Sequence, residues 1–495
     1  MPTEDARIEK LHRLFHLWAG LSANEIEALP ASGSQRRYYR LIANNTSAIG
    51  VWNPDVEENQ RFIALARHFQ KRQLPVPDIF MESPEKQFFL QTDLGELRLF
   101  DLLPPTAEKR SLPIETEKLY RKSIELLLRL QFEGGENLDY QKICKPPVFD
   151  QQAILADLHY FKYYFLKIFE LPFDESALEK DFFKLADKLS QKIPDSFQHR
   201  DYQSRNLMLK DEQIYVIDFQ GGRRGEMTYD LAALLWQARA QIPPKQREQL
   251  FLHYAEGLKN YLKISLEELR DRYIGMVLLR SLQVLGAYGL RGKIEGKPHF
   301  YQSILPALDN LKLLLDIWPH WQKTPQLYHC LQQAQSEIPH KLYPSQIGTE
   351  YANMGNQKRA ENSLLVHISS FSYKKGLPED ASQKHGGGFV FDCRFLDNPG
   401  RLEKYKKLSG LDAEVQNFLL QREETHRFIQ RVFSLVDEAV EKYIYREFDS
   451  LQVHFGCTGG QHRSVFMAEQ LAGHLQEQGV KTVLTHRERS SWPIP

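Results

Sequence analysis

The sequence predicts two folds in series, an α+β two-lobed domain over residues 1–331 and, past a linker at 332–362, an α/β domain over 363–495. Three observations predict them. A His-x-Asp loop followed by an apolar strand, His199 to Asp218, sits inside a largely helical stretch. Residues 332–362 are rich in Gln, Ser, Asn, Lys and Pro and show almost no apolar periodicity, which reads as a linker. Beyond them strand and helix patterns alternate, and a glycine-bearing loop joins a strand to a helix.

Composition sets the frame. At 495 residues the chain is too long for one ordinary core. Its 64 basic and 64 acidic residues balance, so no global field draws it to nucleic acid or membrane. Met1 to Phe15 alternates charge with apolar residues at helical spacing, unlike a signal peptide, and no apolar run reads as long enough to cross a bilayer. Cys144, Cys330, Cys393 and Cys457 form no CxxC pair, which predicts a reducing cytoplasm and neither a disulfide framework nor a zinc site.

Residues 1–95 read as a mixed lobe. Ser32-Gly33-Ser34-Gln35 is a small-residue turn before the strand-like run Arg36 to Leu41; Ala48 to Trp52 is a second strand, 57–72 a helix, and Phe88 to Gly95 a strand leading to the hinge. A turn of this kind lays main-chain N–H groups over phosphates, and it is equally an ordinary hairpin turn. Residues 96–331 are mostly helical, with apolar residues recurring at three and four in Leu119–Leu130 and Tyr273–Gly286.

Within that lobe, His199-Arg200-Asp201, then Asn206, then the apolar run Ile214 to Ile217 ending in Asp218, have the spacing of a kinase catalytic loop. Moving a γ-phosphoryl group asks the protein to orient an acceptor hydroxyl and to hold magnesium across the phosphates. Asp201 suits the first task, and Asn206 and Asp218 offer the hard oxygens that Mg²⁺ prefers. Asp and Asn also cap helices and cover turns, so it is the combination with the strand that carries the reading. Asp230, at the start of a helical run, reads as an N-cap that also ties the helix to the catalytic loop.

Residues 10–325 resemble the aminoglycoside-phosphotransferase-like kinases, and among them the AmgK-type anomeric kinases of N-acetylmuramate and N-acetylglucosamine. The resemblance rests on Gly33 to Arg40, Thr92-Asp93-Leu94-Gly95, His199 to Asn206, Ile217 to Gln220, and Arg280 to Gly286. It implies a two-lobed kinase fold, ATP with Mg²⁺, a small hydroxylated acceptor and, for the subfamily, a sugar 1-phosphate product. Ser32, Gly33, Ser34, Gln35, Arg37, Arg40, Thr92 and Asp93 would then border the nucleotide. One departure stands out: the second strand, Gly50-Val51-Trp52-Asn53, carries no lysine to pair with the phosphates, so Arg37, Arg40 or another cation must replace it. Glu57 or Glu58 would be the helix carboxylate.

In the last domain, Leu451 to Phe455 is a strand, Gly456 to Ser464 a tight loop, and Val465 to Leu475 an amphipathic helix. Main-chain N–H groups of the loop and the positive end of the helix form a cradle suited to phosphate, comprising Cys457, Thr458, Gly459, Gly460, Gln461, His462, Arg463 and Ser464. Arg463 adds a charged fork. Cys457 to Arg463 also satisfies the Cys-x5-Arg spacing of thiol phosphatases, so a nucleophilic cysteine competes with one that only packs.

Residues 362–490 resemble the C-terminal domain of the RNase adapter RapZ, on Ser369 to Lys374, Phe391 to Pro399, Gly410-Leu411-Asp412 and Gly456 to Ser464. That resemblance implies an amino-sugar phosphate ligand and, in the full adapter, a small RNA. The chain holds no GxxxxGK[S/T], and its end lacks a strongly basic tail, which favours the phosphosugar over RNA. The expectation is an ATP-dependent amino-sugar kinase fused to a phosphosugar-sensing domain, with a nucleotide-binding adapter for RNA or a protein partner as the alternative.

Overall fold

The computed structural model describes residues 3–29, 35–104, 111–191, 196–342, 364–378, 387–446 and 448–492, and divides into two compact units, Met1–Ser336 and Glu337–Pro495. The first opens on a helix, Glu4–Ala19. It is capped by the Thr3 hydroxyl and stopped at Gly20, whose φ of 68° lies in the left-handed region that glycine tolerates.

An antiparallel sheet follows, built from β1 (Glu25–Ala28), β2 (Arg37–Ala43), β3 (Thr46–Trp52), β4 (Ile79–Glu82) and β5 (Phe88–Thr92) in the order β1-β2-β3-β5-β4. Side chains alternate between its faces. Tyr39, Leu41, Ala43, Ala48, Trp52, Phe88 and Leu90 pack with Leu11, Leu14 and Phe15 of the first helix. Tyr38, Arg40, Val51 and Phe89 therefore take the opposite face, where the helix Val56–Gln70 lies: its Phe62 ring sits 5.6 Å from that of Phe89.

The rest of the unit is helical, with principal helices Ile114–Phe132, Gln151–Phe161, Glu175–Ser190, Thr228–Leu235, Pro244–Leu258, Leu266–Tyr288 and Ile304–Ile317. Two small ribbons are set among them. β6 (Phe197–Gln198) pairs with β9 (Arg223–Arg224), and β7 (Leu207–Lys210) with β8 (Gln213–Val216). Among the described residues, Leu266–Ile294 is long and apolar enough by composition to cross a membrane, where the sequence had led us to expect no such run. Burial of 67% of that window marks it as the central core helix of this unit.

The linker expected from residue 332 begins later, because the helix Pro325–Leu342 continues through its first third. Leu331, Ala334, Ile338 and Leu342 recur at helical spacing and are buried, a stripe hidden in the sequence by the Gln and Ser between them. Residues 343–362 of that linker lie outside the described residues.

The second unit holds a parallel sheet of β10 (Leu365–Ser372), β11 (Gly388–Asp392), β12 (Ser450–Cys457) and β13 (Lys481–His486), in the order β11-β12-β10-β13. The helices Ala413–Leu420, Glu423–Tyr445 and Arg463–Glu477 accompany it. Val366, Ile368, Val453, Phe455, Phe466 and Leu471 share its core. The loop after β12 lies at the carboxyl ends of the central strands, where open α/β sheets bind ligands.

Candidate functional site

The catalytic loop is shaped by a tight hairpin. Asp211 and Glu212, both at positive φ (50° and 61°), turn β7 into β8 as a type I′ turn requires. Leu207 thus pairs with Val216, and Ile217 N donates to Asn206 O at 3.1 Å, so Asn206 and Asp218 emerge side by side at the open end of the hairpin. This is the physical content of the spacing read from the sequence.

Asp201 is gripped from three sides. Arg280 Nη2 donates to it at 2.6 Å, Arg205 Nη2 at 3.1 Å and Asn206 Nδ2 at 3.0 Å. Burial works to raise the Asp201 pKa, but Arg205, Arg280 and His199 outweigh it and hold the carboxyl well below the usual range. The Asn206 amide nitrogen also donates to Asp201 O at 2.9 Å, which directs its oxygen elsewhere. That oxygen and the Asp218 carboxylate form a hard-oxygen pair of the kind Mg²⁺ uses together with substrate phosphates, so the residues fit the ion. Among the described residues no cluster of three or more His, Cys, Asp or Glu competes for a metal.

The loop is held from beneath by Asp230. Its carboxylate accepts from His199 N at 2.6 Å and Arg200 N at 2.9 Å, and it is fully buried. The helix Thr228–Leu235 is capped at Met227, so Asp230 is not the N-cap the sequence suggested; fixing the catalytic loop is its whole role. Arg200 sits at φ 77°, a costly conformation for a long side chain. It is held there by Asp157 (2.9 Å) and by the Phe149 and Tyr229 rings, 4.2 and 4.5 Å from its guanidinium carbon. His199 Nδ1 faces Asp201 N at 3.2 Å, which leaves Nε2 to donate to Ile217 O at 3.0 Å.

A pocket opens beside Asp201, lined by Gln203, Trp236, Gln237, Arg280, Ser281 and Tyr288 with three small apolar residues, and no carboxylate lines it. Burial raises the Tyr288 pKa and Asp201 adds to it, while Arg205, Arg280 and Arg239 oppose the rise.

The nucleotide side departs from expectation. Ser32, Gly33 and Ser34 lie outside the described residues, and Gln35 is exposed. Arg37 shares the sheet face of Tyr39, away from the helix Val56–Gln70, and donates to Arg36 O at 2.9 Å. Arg40 is engaged by carboxylates, with Asp93 at 3.0 Å, Glu96 at 2.6 Å and Glu27 at 3.5 Å, so its charge is matched locally and it ties β2 to the hinge. Asp93 also caps Gly95 N at 3.0 Å, and the Thr92 hydroxyl accepts from Asp78 N at 2.9 Å. Both hinge side chains thus shape the hinge itself. The residue missed in the sequence is Arg36, buried at 4% exposure, with Nη2 3.0 Å from Glu58 and Nη1 3.9 Å from Asp218. Glu58, not Glu57, is the inward carboxylate; Glu57 pairs with Lys145 at the surface.

In the second unit the loop after β12 turns its side chains inward. Gln461 Nε2 donates to Lys406 O (3.1 Å) and Leu408 O (2.6 Å), and His462 Nε2 bonds Tyr405 O at 2.9 Å. Arg463 Nη1 donates to Arg394 O at 2.7 Å and Leu396 O at 2.9 Å. Arg463 therefore clamps the segment after β11 rather than offering a free fork to phosphate, and the phosphatase reading loses its arginine. Cys457 is buried, its Sγ 3.1 Å from both Gly460 N and Ser464 Oγ. Thr458 and Gly459 are exposed, and a Cβ on Gly459 would meet nothing within 4 Å, while Thr458 O accepts from the Ser372 hydroxyl at 2.8 Å.

Comparison with known proteins agrees with this division. Residues 25–264 match the phosphotransferase enzyme family, and residues 364–490 match the RapZ C-terminal domain. The chain couples a phosphotransferase domain to a RapZ C-terminal domain. The latter is 34% identical over 147 residues to a nucleotide-binding protein of Caldicellulosiruptor bescii, covering 30% of this chain and 48% of that protein. It is 41% identical over 127 residues to a nucleotide-binding protein of Limosilactobacillus reuteri, covering 26% and 42%. The chain thus spans less than half the length of these curated relatives. Among solved structures, choline kinase LicA from Streptococcus pneumoniae is similar at TM-score 0.41 and 14% identity, over 61% of this chain and 99% of that one. A Plasmodium vivax ethanolamine kinase is similar at TM-score 0.45 and 13% identity, over 63% and 90%.

Proposed function

We propose that the phosphotransferase domain is an ATP- and Mg²⁺-dependent kinase for the anomeric hydroxyl of an amino sugar of the N-acetylmuramate or N-acetylglucosamine type. The carrying observation is Asp201, held by Arg280, Arg205 and Asn206 just ahead of the strand that ends on Asp218, in a stretch that matches the phosphotransferase enzyme family. The amino-sugar acceptor rests on the resemblance of Gly33 to Arg40, His199 to Asn206 and Arg280 to Gly286 to the anomeric amino-sugar kinases.

In this reading Asp201 accepts a hydrogen bond from the acceptor hydroxyl and aims its oxygen at the γ-phosphorus. Its lowered pKa makes it an orienting acceptor more than a strong base. Asn206 and Asp218 would hold Mg²⁺, which supplies charge neutralisation across the phosphates when bound. The RapZ C-terminal domain would bind the phosphate of an amino-sugar phosphate on the main chain of Thr458 and Gly459 and report it to the kinase.

The test is ATP turnover against N-acetylmuramate, N-acetylglucosamine, other sugars, choline and aminoglycosides. Turnover with an amino sugar, falling about 10²–10⁴-fold in Asp201→Asn, is expected. Turnover confined to choline or an aminoglycoside would overturn the acceptor class. Nucleotide binding with no turnover on any acceptor would point to a nucleotide-binding adapter for RNA or protein.

A further inference from the structure

β3 carries no cation: Thr46 to Trp52 contains neither Lys nor Arg. Its faces explain what stands in for one. A Cβ on Gly50 would lie 2.8 Å from Leu11 and Leu41, so that face is filled by the first helix. The register sets Arg37 against Trp52 on that same face, which puts Arg36, one residue earlier, opposite Asn53 on the other face.

These two residues and the helix Val56–Gln70 form a single assembly. Arg36 Nη2 is 3.0 Å from Glu58 Oε1, and Asn53 Nδ2 donates to Glu58 Oε2 at 2.7 Å, so both oxygens of the carboxylate are fixed. Asn53 Oδ1 in turn accepts from Asp55 N at 3.1 Å, at the start of the helix. Arg36 Nη1 donates to the Tyr38 hydroxyl at 3.0 Å and lies 3.9 Å from Asp218. A buried guanidinium is costly, and Glu58, Tyr38 and Asp218 together offset that cost. Its position at the mouth of the Asp218 site gives it a second purpose.

We propose that Arg36 takes the place of the absent strand lysine: it pairs with the α- and β-phosphates of the nucleotide, Glu58 holds it in position, and its contact with Asp218 is the resting contact that Mg²⁺-nucleotide replaces. This rests on the kinase reading above. A guanidinium fork reaches two phosphate oxygens at once from the neighbouring strand, where an ammonium would reach one. Glu58 is a positioning residue, acting on phosphate only through Arg36.

The test measures affinities of the full chain for adenosine, MgADP and the slowly hydrolysed analogue MgAMP-PNP by calorimetry. Arg36→Met should weaken both MgADP and MgAMP-PNP about 10-fold or more, as loss of a charged hydrogen-bonding partner does, and leave adenosine unchanged. Arg36→Lys should recover part of the loss, and Glu58→Gln should give a loss that is not additive with Arg36→Met. Arg67→Met, a solvent-exposed charge removed from the same helix, should change nothing. Retained adenosine affinity shows that the variant lobe is folded. Equal affinity of wild type and Arg36→Met for MgADP would overturn the assignment while leaving the kinase reading standing. A wild-type chain that binds no adenine nucleotide would overturn both.

Discussion

The catalytic loop of the first unit and the glycine loop of the second both gather polar residues at the end of a strand, yet they use them in opposite ways. Around Asp201, charged side chains face one another: Arg280, Arg205 and Asn206 converge on one carboxylate at the mouth of a pocket. After β12, the side chains of Gln461, His462 and Arg463 turn back onto main-chain carbonyls of residues 394–408, and Thr458 and Gly459 are left exposed. The first arrangement preorganises several polar groups around one carboxylate, the kind of convergence that the proposed phosphoryl transfer would use. The second suits recognition, because a rigid loop offers main-chain N–H groups without a reactive side chain.

The comparison breaks first at Asp230. Its carboxylate is the acceptor for the two amides that set the catalytic loop, and Asp230→Ala strands both in a buried place. The expected loss is about 2–6 kcal/mol in chemical denaturation of the first unit, 1–3 for each unsatisfied donor, together with loss of turnover. Asp230→Asn, which keeps one acceptor, should lose less. A stability change near zero for Asp230→Ala would mean that the loop is held by the Arg200 packing alone.

The second unit is sharpened by two adjacent glycines. Gly460 has φ 67°, and a Cβ there would meet Glu488 Cγ at 2.4 Å and Ser372 N at 3.1 Å, so Gly460→Ala should cost the unit about 1–3 kcal/mol. Gly459 faces open space, and Gly459→Ala should stay within about 0.5 kcal/mol of wild type. If this loop is the anion cradle, Gly459→Ala nonetheless weakens binding of an amino-sugar phosphate by placing a methyl in the ligand's path. Unchanged binding in that variant, read by calorimetry, would remove the cradle from Gly459.

The residues that could be read from the sequence are those whose partners are close in the chain. Asp201, Asn206 and Asp218 lie on or close to the ends of one hairpin, and the strand to glycine loop to helix pattern of residues 450–477 is likewise local. What could not be read depends on distant packing. Which arginines turn toward the helix Val56–Gln70 follows from the face of β2 it covers, shared by Arg36 and Arg40 but not Arg37, and the alternation of Tyr39 and Leu41 against Tyr38 carried that signal without naming the face. The inward turn of Arg463 depends on a segment some seventy residues earlier in the chain. Asp230 looked like a cap because acidic residues favour the first helical turn, while its real partners are the amides of His199 and Arg200.

The smallest effect expected is a flat acid limb. Burial alone would lift the Asp201 pKa, and Arg205, Arg280 and His199 more than reverse it. A carboxyl with a depressed folded-state pKa contributes stability that is present above its unfolded value, near 3.9, and is lost only as pH falls through the lower folded value. Asp201 therefore stays ionised at every pH at which the protein is assayed, and kcat should not fall between about pH 8 and pH 5 on its account. Arg280→Met removes one of the two guanidinium groups bonded to it and moves its titration upward toward the ordinary range, still below that window. A wild-type acid limb centred near pH 6 that shifts upward in Arg280→Met would show that the two arginines do not dominate this carboxylate, and would make Asp201 a proton acceptor in its own right.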